Sequence, residues 1–527
     1  MATGSILAID LGTSGPKVAL VDRRGRVRAS GTAPTSVRTL PGGGAEQDPD
    51  AWWAAIVTAT RRCLASGDGA SVEAVAVTSQ WSGTVAVDGK LRPLRPAIIW
   101  MDTRGRAALD RRLGGPLRIA GYGPARLWRW IDRTGGAPGR SGKDALAHVL
   151  YLADEEPDVY RRAAYVLEPK DYLNARLTGR VAAGYDSIAL HWVTDNRDAA
   201  FVRYDDELVA MVGLDASKLP PLRPATSILG PLHPQAAADL GLASGTPVAM
   251  GTPDVHAAAL GAAGGREFEA HLYLGTSSWC VAHVPFKKTD LLHNMASLPS
   301  ALPGRYLLLD EQETAGGALT FLRDRILFAP EVGAKPPPDD LLPRLDALAA
   351  EVPVGAQGLS FLPWLYGERT PVEDARLRGG FVGLGLDHGP GHLARAVLEG
   401  VAFNGRWLVE AVESFCGRGL PHLRLAGGGA RSALWAQIHA DVLHRPIDVV
   451  EDPVHVGVRG VAGLAWIALG ATTPDAWTDE IPIARRILPD EDRAAVYDGL
   501  YAEFRRAHRF LAARARRVGP SLSEDAP

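Results

Sequence analysis

Ser5-Ile-Leu-Ala-Ile-Asp10-Leu-Gly-Thr-Ser-Gly-Pro-Lys17-Val-Ala-Leu-Val21 reads as two apolar strands joined by a polar, glycine-containing tip. Its centre, Leu11-Gly-Thr-Ser14, returns as Leu274-Gly-Thr-Ser277, again between strand-like runs, at 270–273 and 279–284. A recurring hairpin of this kind implies a chain built from two halves with the same opening. The proline-rich polar stretch at 220–234 marks the approach to the division. The expected domains are therefore 1–246, 247–480, and a C-terminal helix with a frayed tail at 481–527.

The length of 527 residues exceeds what one hydrophobic core organises, so a cleft between two large domains is expected. With 46% apolar and 22% charged residues and a net charge of -3, the composition is that of an ordinary globular protein, and no nucleic acid is implied as a partner. Cys63, Cys280 and Cys416 form no C-x-x-C pair, which fits a reducing cytoplasm better than a disulfide framework or a zinc site. The opening residues run directly into a strand pattern, and no stretch is apolar enough to span a bilayer, so neither secretion nor a membrane is expected. A homodimer is compatible with the sequence, which carries no signature of oligomeric state.

Around Asp48-Pro-Asp-Ala-Trp-Trp53 a capped helix begins and runs to Leu64; the β-branched run 72–78 is a strand. Further helices are expected at about 390–415 and 431–443. In the first tip, Gly12 and Gly15 let backbone N–H groups converge on an anion, Thr13 and Ser14 add hydroxyls, and Lys17 adds charge. The segment is neither a Walker A loop nor a dinucleotide turn; it reads as an ordinary hairpin or as a phosphate cradle, with Asp10 beside it for Mg²⁺. Gly275, Thr276 and Ser277 offer a second set of donors. Glycine-rich turns at 315–317 and 426–432 precede helix-like stretches, where an anion or a flat base can rest.

Asp254 ends a strand and opens a small-residue helix, a place for a helix cap or for a general base acting on a hydroxyl that attacks phosphorus. Gln80-Trp-Ser-Gly-Thr84 collects an amide, an indole and two hydroxyls suited to a polyhydroxylated ligand. In Trp100-Met-Asp-Thr-Arg104, Asp102 reads equally as a substrate contact or as half of an ion pair with Arg104.

These segments together resemble the FGGY family of carbohydrate kinases, from Ile6 to about Gly470. The most specific block is Gly379-Gly-Phe-Val-Gly-Leu384 followed by His392-Leu-Ala-Arg-Ala-Val-Leu-Glu399; Pro169-Lys-Asp-Tyr-Leu173, Gly367-Glu-Arg-Thr-Pro371 and Gly427-Gly-Gly-Ala-Arg-Ser432 resemble family blocks in the family's order. The resemblance implies an α/β fold of two actin-like, ribonuclease-H-like domains flanking a central cleft, and ATP with Mg²⁺ as cofactors. It implies that Asp10, Thr13, Ser14, Lys17, Gly275, Thr276, Ser277, Gly316, Gly428, Gly429, Ala430 and Ser432 meet the nucleotide. Asp254 falls at the catalytic base, and Gln80, Trp81 and Ser82 on the sugar side; from the residues themselves, Asp102 and Asp254 are further candidate substrate contacts, and Asp10 with Asp254 the candidate metal ligands.

In overall look the chain is nearest to xylulose kinases, so a ketopentose such as xylulose is the expected substrate. Glycerol, erythritol or another short polyol, and a catalytically silent sugar-binding regulator, are the alternatives. The chain departs from the pattern at Trp81-Ser82, where xylulose kinases carry Met-His, and at Val255, where family members place Asn or Gln. His256 is the candidate to replace the contact missing at Val255.

Overall fold

The computed structural model describes residues 4–66, 72–115, 117–119, 121–329 and 336–518. Five strands form the heart of the first sheet: β1 (Ser5–Gly12), β2 (Gly15–Asp22), β3 (Val27–Thr32), β4 (Val72–Ser79) and β5 (Pro247–Ala249). Their order is β3-β2-β1-β4-β5, with antiparallel pairing among the first three and parallel pairing from β1 onward. The second sheet is built around β6 (Ala270–Leu274), β7 (Ser278–Val284), β8 (Tyr306–Gln312), β9 (Leu423–Ala426) and β10 (Ile447–Val450). Its order, β8-β7-β6-β9-β10, repeats that of the first sheet strand for strand, including the sense of every pairing. The repeated hairpin is thus the opening of a duplicated α/β unit.

Period-two burial explains why both faces of β1 are apolar. Leu7, Ile9 and Leu11 pack with Trp52, Ile56 and Ala59 of helix α1 (Pro49–Ala65), whose N-cap Asp48 accepts the Asp50 N–H. Ile6 and Ala8 face the other way, toward helices α2 (Asp254–Ala262) and α4 (Val456–Ala468). Between them in sequence, α3 (Pro390–Cys416) covers the second sheet with Val397, Val401 and Leu408. Helix α5 (Glu491–Val518) adds Tyr497, Tyr501 and Phe504 to the same core.

Helices α2 and α4 cross between the two sheets, and small residues set the distance. A Cβ on Gly460 would lie 1.7 Å from the Ala257 carbonyl oxygen, and one on Gly261 would lie 1.9 Å from that of Val456. Only glycine permits this approach. One consequence is that Gly457, in the first turn of α4, lies against the β1 end: a Cβ there would sit 2.6 Å from Asp10 Oδ2.

Two segments lie elsewhere than the expected domain limits put them. The strand β5, read as the start of the second half, pairs with β4, and Thr252–Pro253 continues along the same strand, so the first sheet keeps the chain until α2. After residue 480, Ile483–Ile487 pairs antiparallel with β10 at the edge of the second sheet, with Ile487 against the core and Arg486 paired with Asp448 of β10. The expected frayed tail lies, from residue 519, outside the described residues.

Candidate active site

Parallel strands deliver their following loops to one edge, and ligands in open α/β sheets sit at that edge. In the first sheet, Leu11 of β1 lies level with Ser79 of β4, and Pro253 is level with Ser79 on the other side. The hairpin tip at 13–14, the loop at 80–83 and Asp254 therefore emerge together. In the second sheet β6 runs parallel to β9, which brings together the tips at 275–277 and 427–432. The turn after β8 joins them: Gly316 N–H donates to Gly275 O at 2.8 Å, and Ala315 and Gly317 N–H donate to Thr276 O at 2.8 and 3.0 Å. A Cβ on Gly316 would stand 2.6 Å from Gly275 O, so the close stacking of these loops requires glycine. Gly427, at φ 88°, turns the third loop, with its N–H on Pro453 O, while Ser432 caps the helix Ala433–Leu443 by accepting the Trp435 N–H at 2.9 Å. Gly428 is exposed, Gly429 half-buried and Ala430 buried beneath them.

Asp254 occupies the first turn of α2, where its Oδ1 accepts the Val255 N–H at 2.9 Å. Burial, and next the charge of Asp10, push its carboxyl up to about 7, with Glu311 of β8 adding to the effect. Asp10 is itself raised by burial, and Lys17, directly across the hairpin, draws it down. Tyr273 of β6 lies within reach of both carboxylates, which together with burial raise its phenol. Two acids from one sheet and groups from the other thus face a common space.

A buried polar network holds Asp254 in place. Lys170 Nζ donates to Met250 O at 3.0 Å and pairs with Asp171, Asn174 Nδ2 donates to the same carbonyl at 2.6 Å, and Ser187 Oγ reaches Asp171 at 2.5 Å. Thr252 Oγ1 donates to Asp186. All six side chains are 1% exposed or less, so the strand end at 250–253 is fixed by bonds that water cannot exchange. Gly251, at φ 64° and where a Cβ would lie 1.9 Å from Val77 O, makes the turn.

The loop at 80–83 is built differently from what the sequence implies. Trp81 is half-buried; its Nε1 donates to Ser187 O at 3.0 Å and its ring meets His256 edge-on at 5.0 Å. Ser82, at φ 62°, donates to Lys143 O at 2.8 Å, and Gly83 N–H donates to the buried Glu168 at 3.0 Å. Gln80 is 2% exposed and spends its amide on Thr13 and Gln47. Asp102 is 1% exposed and engaged by the Ala45 N–H and by Arg104. The ion-pair reading of Asp102 therefore describes its contacts. His256 does not stand in for Val255: it is buried, with Nε2 on Pro299 O at 3.2 Å, and Val255 packs against Val281 and Leu307.

Residues that the motifs did not single out complete the space. Trp100 is 39% exposed and donates from Nε1 to Thr13 Oγ1 at 3.0 Å. On the opposite wall Trp279 stacks on Tyr273 at 4.9 Å and donates to Ser277 Oγ at 3.0 Å. Behind it Arg369 pairs with Glu311 at 2.6 Å and with Glu313. Aromatics next to hydroxyl-bearing tips were the available signal, since Trp100 lies in a segment already noted.

Family comparison agrees with this geometry. The N-terminal domain model of the FGGY family of carbohydrate kinases matches residues 5–261, and its C-terminal domain model matches residues 270–469. The chain belongs to the FGGY family of carbohydrate kinases. It is a sugar kinase, with ATP as the phosphoryl donor. It is 32% identical to the xylulose kinase of Escherichia coli (strain K12), over 96% of this chain and 99% of that one. A gluconokinase from Bacillus licheniformis is 25% identical over 95% of each. Among solved structures, the xylulose kinase of Rhodospirillum rubrum superposes with a TM-score of 0.80 at 29% identity, covering 97% of this FGGY kinase and 100% of that chain. No helix among the described residues is long and apolar enough to cross a membrane.

Proposed function

We propose that this kinase transfers the γ-phosphoryl group of ATP to a hydroxyl of a ketopentose such as xylulose, in the cytoplasm, with Asp254 as the general base. The observation that carries the reading is the Asp254 carboxyl, raised to about 7 by burial and Asp10 at the meeting point of both hairpin tips. A base poised near neutral pH is half ionised there yet still basic enough to accept a hydroxyl proton. The xylulose kinases among its relatives favour the ketopentose.

Thr13, Ser14 and Lys17 from the first sheet, and Gly275, Thr276 and Ser277 from the second, would hold the polyphosphate from two sides. Gly316 and the 428–432 turn would carry the nucleoside. Asp254 then takes the proton as the substrate oxygen attacks in line, and the N–H donors of both tips with the hydroxyls of Ser14 and Thr276 offset the charge spreading over the transferring group. Trp81, with its N–H already satisfied, presents its ring to the C–H surface of the sugar, and closure of the two sheets excludes competing water. The residues present fit Mg²⁺: Asp10 and Asp254 are hard oxygen donors whose mutual repulsion a cation relieves. Mg²⁺ commonly takes one or two carboxylates and completes its shell with water and phosphate. When bound there, Mg²⁺ would neutralise phosphate charge.

An ADP-release screen over ketopentoses, ketohexoses, polyols and aldonates tests the reading, the last because a gluconokinase is among the relatives. A ketopentose should stimulate most, and Asp254→Asn should abolish the stimulation. Stimulation that survives the substitution overturns the base, and stimulation by no acceptor favours a silent sugar-binding regulator.

A further inference from the structure

Gln47, which no motif singled out, stands at the junction of the phosphate tip and the sugar-side loop. It ends the short strand Gly44–Gln47 and is 2% exposed. Its Nε2 donates to Thr13 O at 2.8 Å, and its Oε1 accepts from Gln80 Nε2 at 2.7 Å and Trp52 Nε1 at 3.1 Å. Gln80 closes the ring: its Oε1 accepts from Thr13 Oγ1 at 3.1 Å, and Thr13 Oγ1 in turn accepts from Trp100 Nε1.

The direction of every bond is fixed by chemistry, because an indole N–H can only donate. Trp52 therefore must face an oxygen, which makes that atom of Gln47 Oε1 and leaves Nε2 for the Thr13 carbonyl. Gln80 must then present Nε2 to Gln47 and Oε1 to Thr13. At the other end Trp100 donates into the Thr13 hydroxyl, which is free to donate onward. One orientation satisfies all five groups, and it ties the backbone of Thr13 to the loop that continues into Trp81.

We infer that Gln47 is a positioning residue which couples the two loops: it holds the Thr13 carbonyl so that the tip's donors face the phosphates, and it does so through the same amide that anchors Gln80. Gln80 then serves as the link between loops and does not bind the sugar. This rests on the reading that the first tip receives ATP. It explains why a glutamine with no free polar oxygen follows β4, at a place where a direct sugar ligand would need exposure.

The test is a comparison of Gln47→Glu, Gln47→Leu, Gln80→Leu and the double Gln47→Leu/Gln80→Leu. Binding of MgATP by calorimetry without acceptor is read beside the kinetic constants with the acceptor found in the screen. Gln47→Glu keeps the oxygen for Trp52 and Gln80 but sets a second oxygen against Thr13 O. It should weaken MgATP binding about 10- to 100-fold, the range for a buried bond lost to an unpaired acceptor, while the acceptor KM shifts less than threefold. The double variant should be no worse than the poorer single, since coupled positions are not additive. A Gln80→Leu defect confined to the acceptor KM, multiplying with that of Gln47→Leu, would overturn the coupling and return Gln80 to the sugar. MgATP binding unchanged in Gln47→Glu would overturn it as well. Because the calorimetry needs no acceptor, failure of the coupling is separable from failure of the kinase assignment, which would appear as an inactive wild type.

Discussion

Replacing Asp254 by Asn should strip the protein of nearly all its activity and, above neutral pH, make it more stable than the wild type. The carboxyl moves from 3.8 to about 7 on folding, so between these values the folded state binds more protons than the unfolded one. Stability then falls as pH rises through the window, and the full cost is present above about pH 7. Roughly three units at 1.36 kcal/mol each set an upper bound of about 4 kcal/mol. Asp254 is only half-buried, and solvent screening brings the expected gain to about 2 kcal/mol. Asparagine keeps an oxygen for the Val255 N–H and carries no charge, so it removes the slope. For a chain of 527 residues, an unfolding entropy of roughly 2 cal/mol/K per residue translates that gain into about 2 °C. Differential scanning calorimetry at pH 5 and pH 8 should give an advantage for Asp254→Asn that grows with pH. Alongside it, wild-type kcat/KM should rise with pH to a plateau above about 7, and the variant should lose about 10²- to 10⁴-fold in kcat. An equal or reversed stability difference at pH 8 would refute the view that burial and Asp10 strain this carboxylate.

Lys170 and Asp171 form an ion pair with side chains at most 1% exposed, so Lys170→Met should lower stability by about 3–5 kcal/mol by stranding a buried charge. Urea unfolding should show the loss, and Lys170→Met/Asp171→Leu should recover most of it. Gly460→Ala pushes a methyl to 1.7 Å from the Ala257 carbonyl oxygen; the forced separation of α2 and α4 should cost roughly 2–3 kcal/mol in urea unfolding. It should also reduce kcat, because α2 carries Asp254 and α4 rests on Asp10.

The duplicated unit could be read from the chain because strand alternation and glycine-bearing tips are local signals. Ser5–Gly12, Val72–Ser79 and Ala270–Leu274 stand within a residue or two of where the pattern puts them. The chemistry of Asp254 was only half legible. Its place before a small-residue helix is local, whereas its raised carboxyl depends on Asp10, which a different strand brings near. Polar side chains of the first half were the least legible. Gln80 and Asp102 have the right chemistry for a sugar, and the sequence cannot tell an amide that faces solvent from one consumed by Gln47 and Thr13. The same limit hid Lys170, Asn174 and Asp186, whose roles arise only where the helix Pro169–Thr178 meets the strand end at Met250. What burial decides, the sequence leaves open: residues that look like ligands form the frame, and Asp254, which looks like a helix cap, is left as the acid that the frame presents.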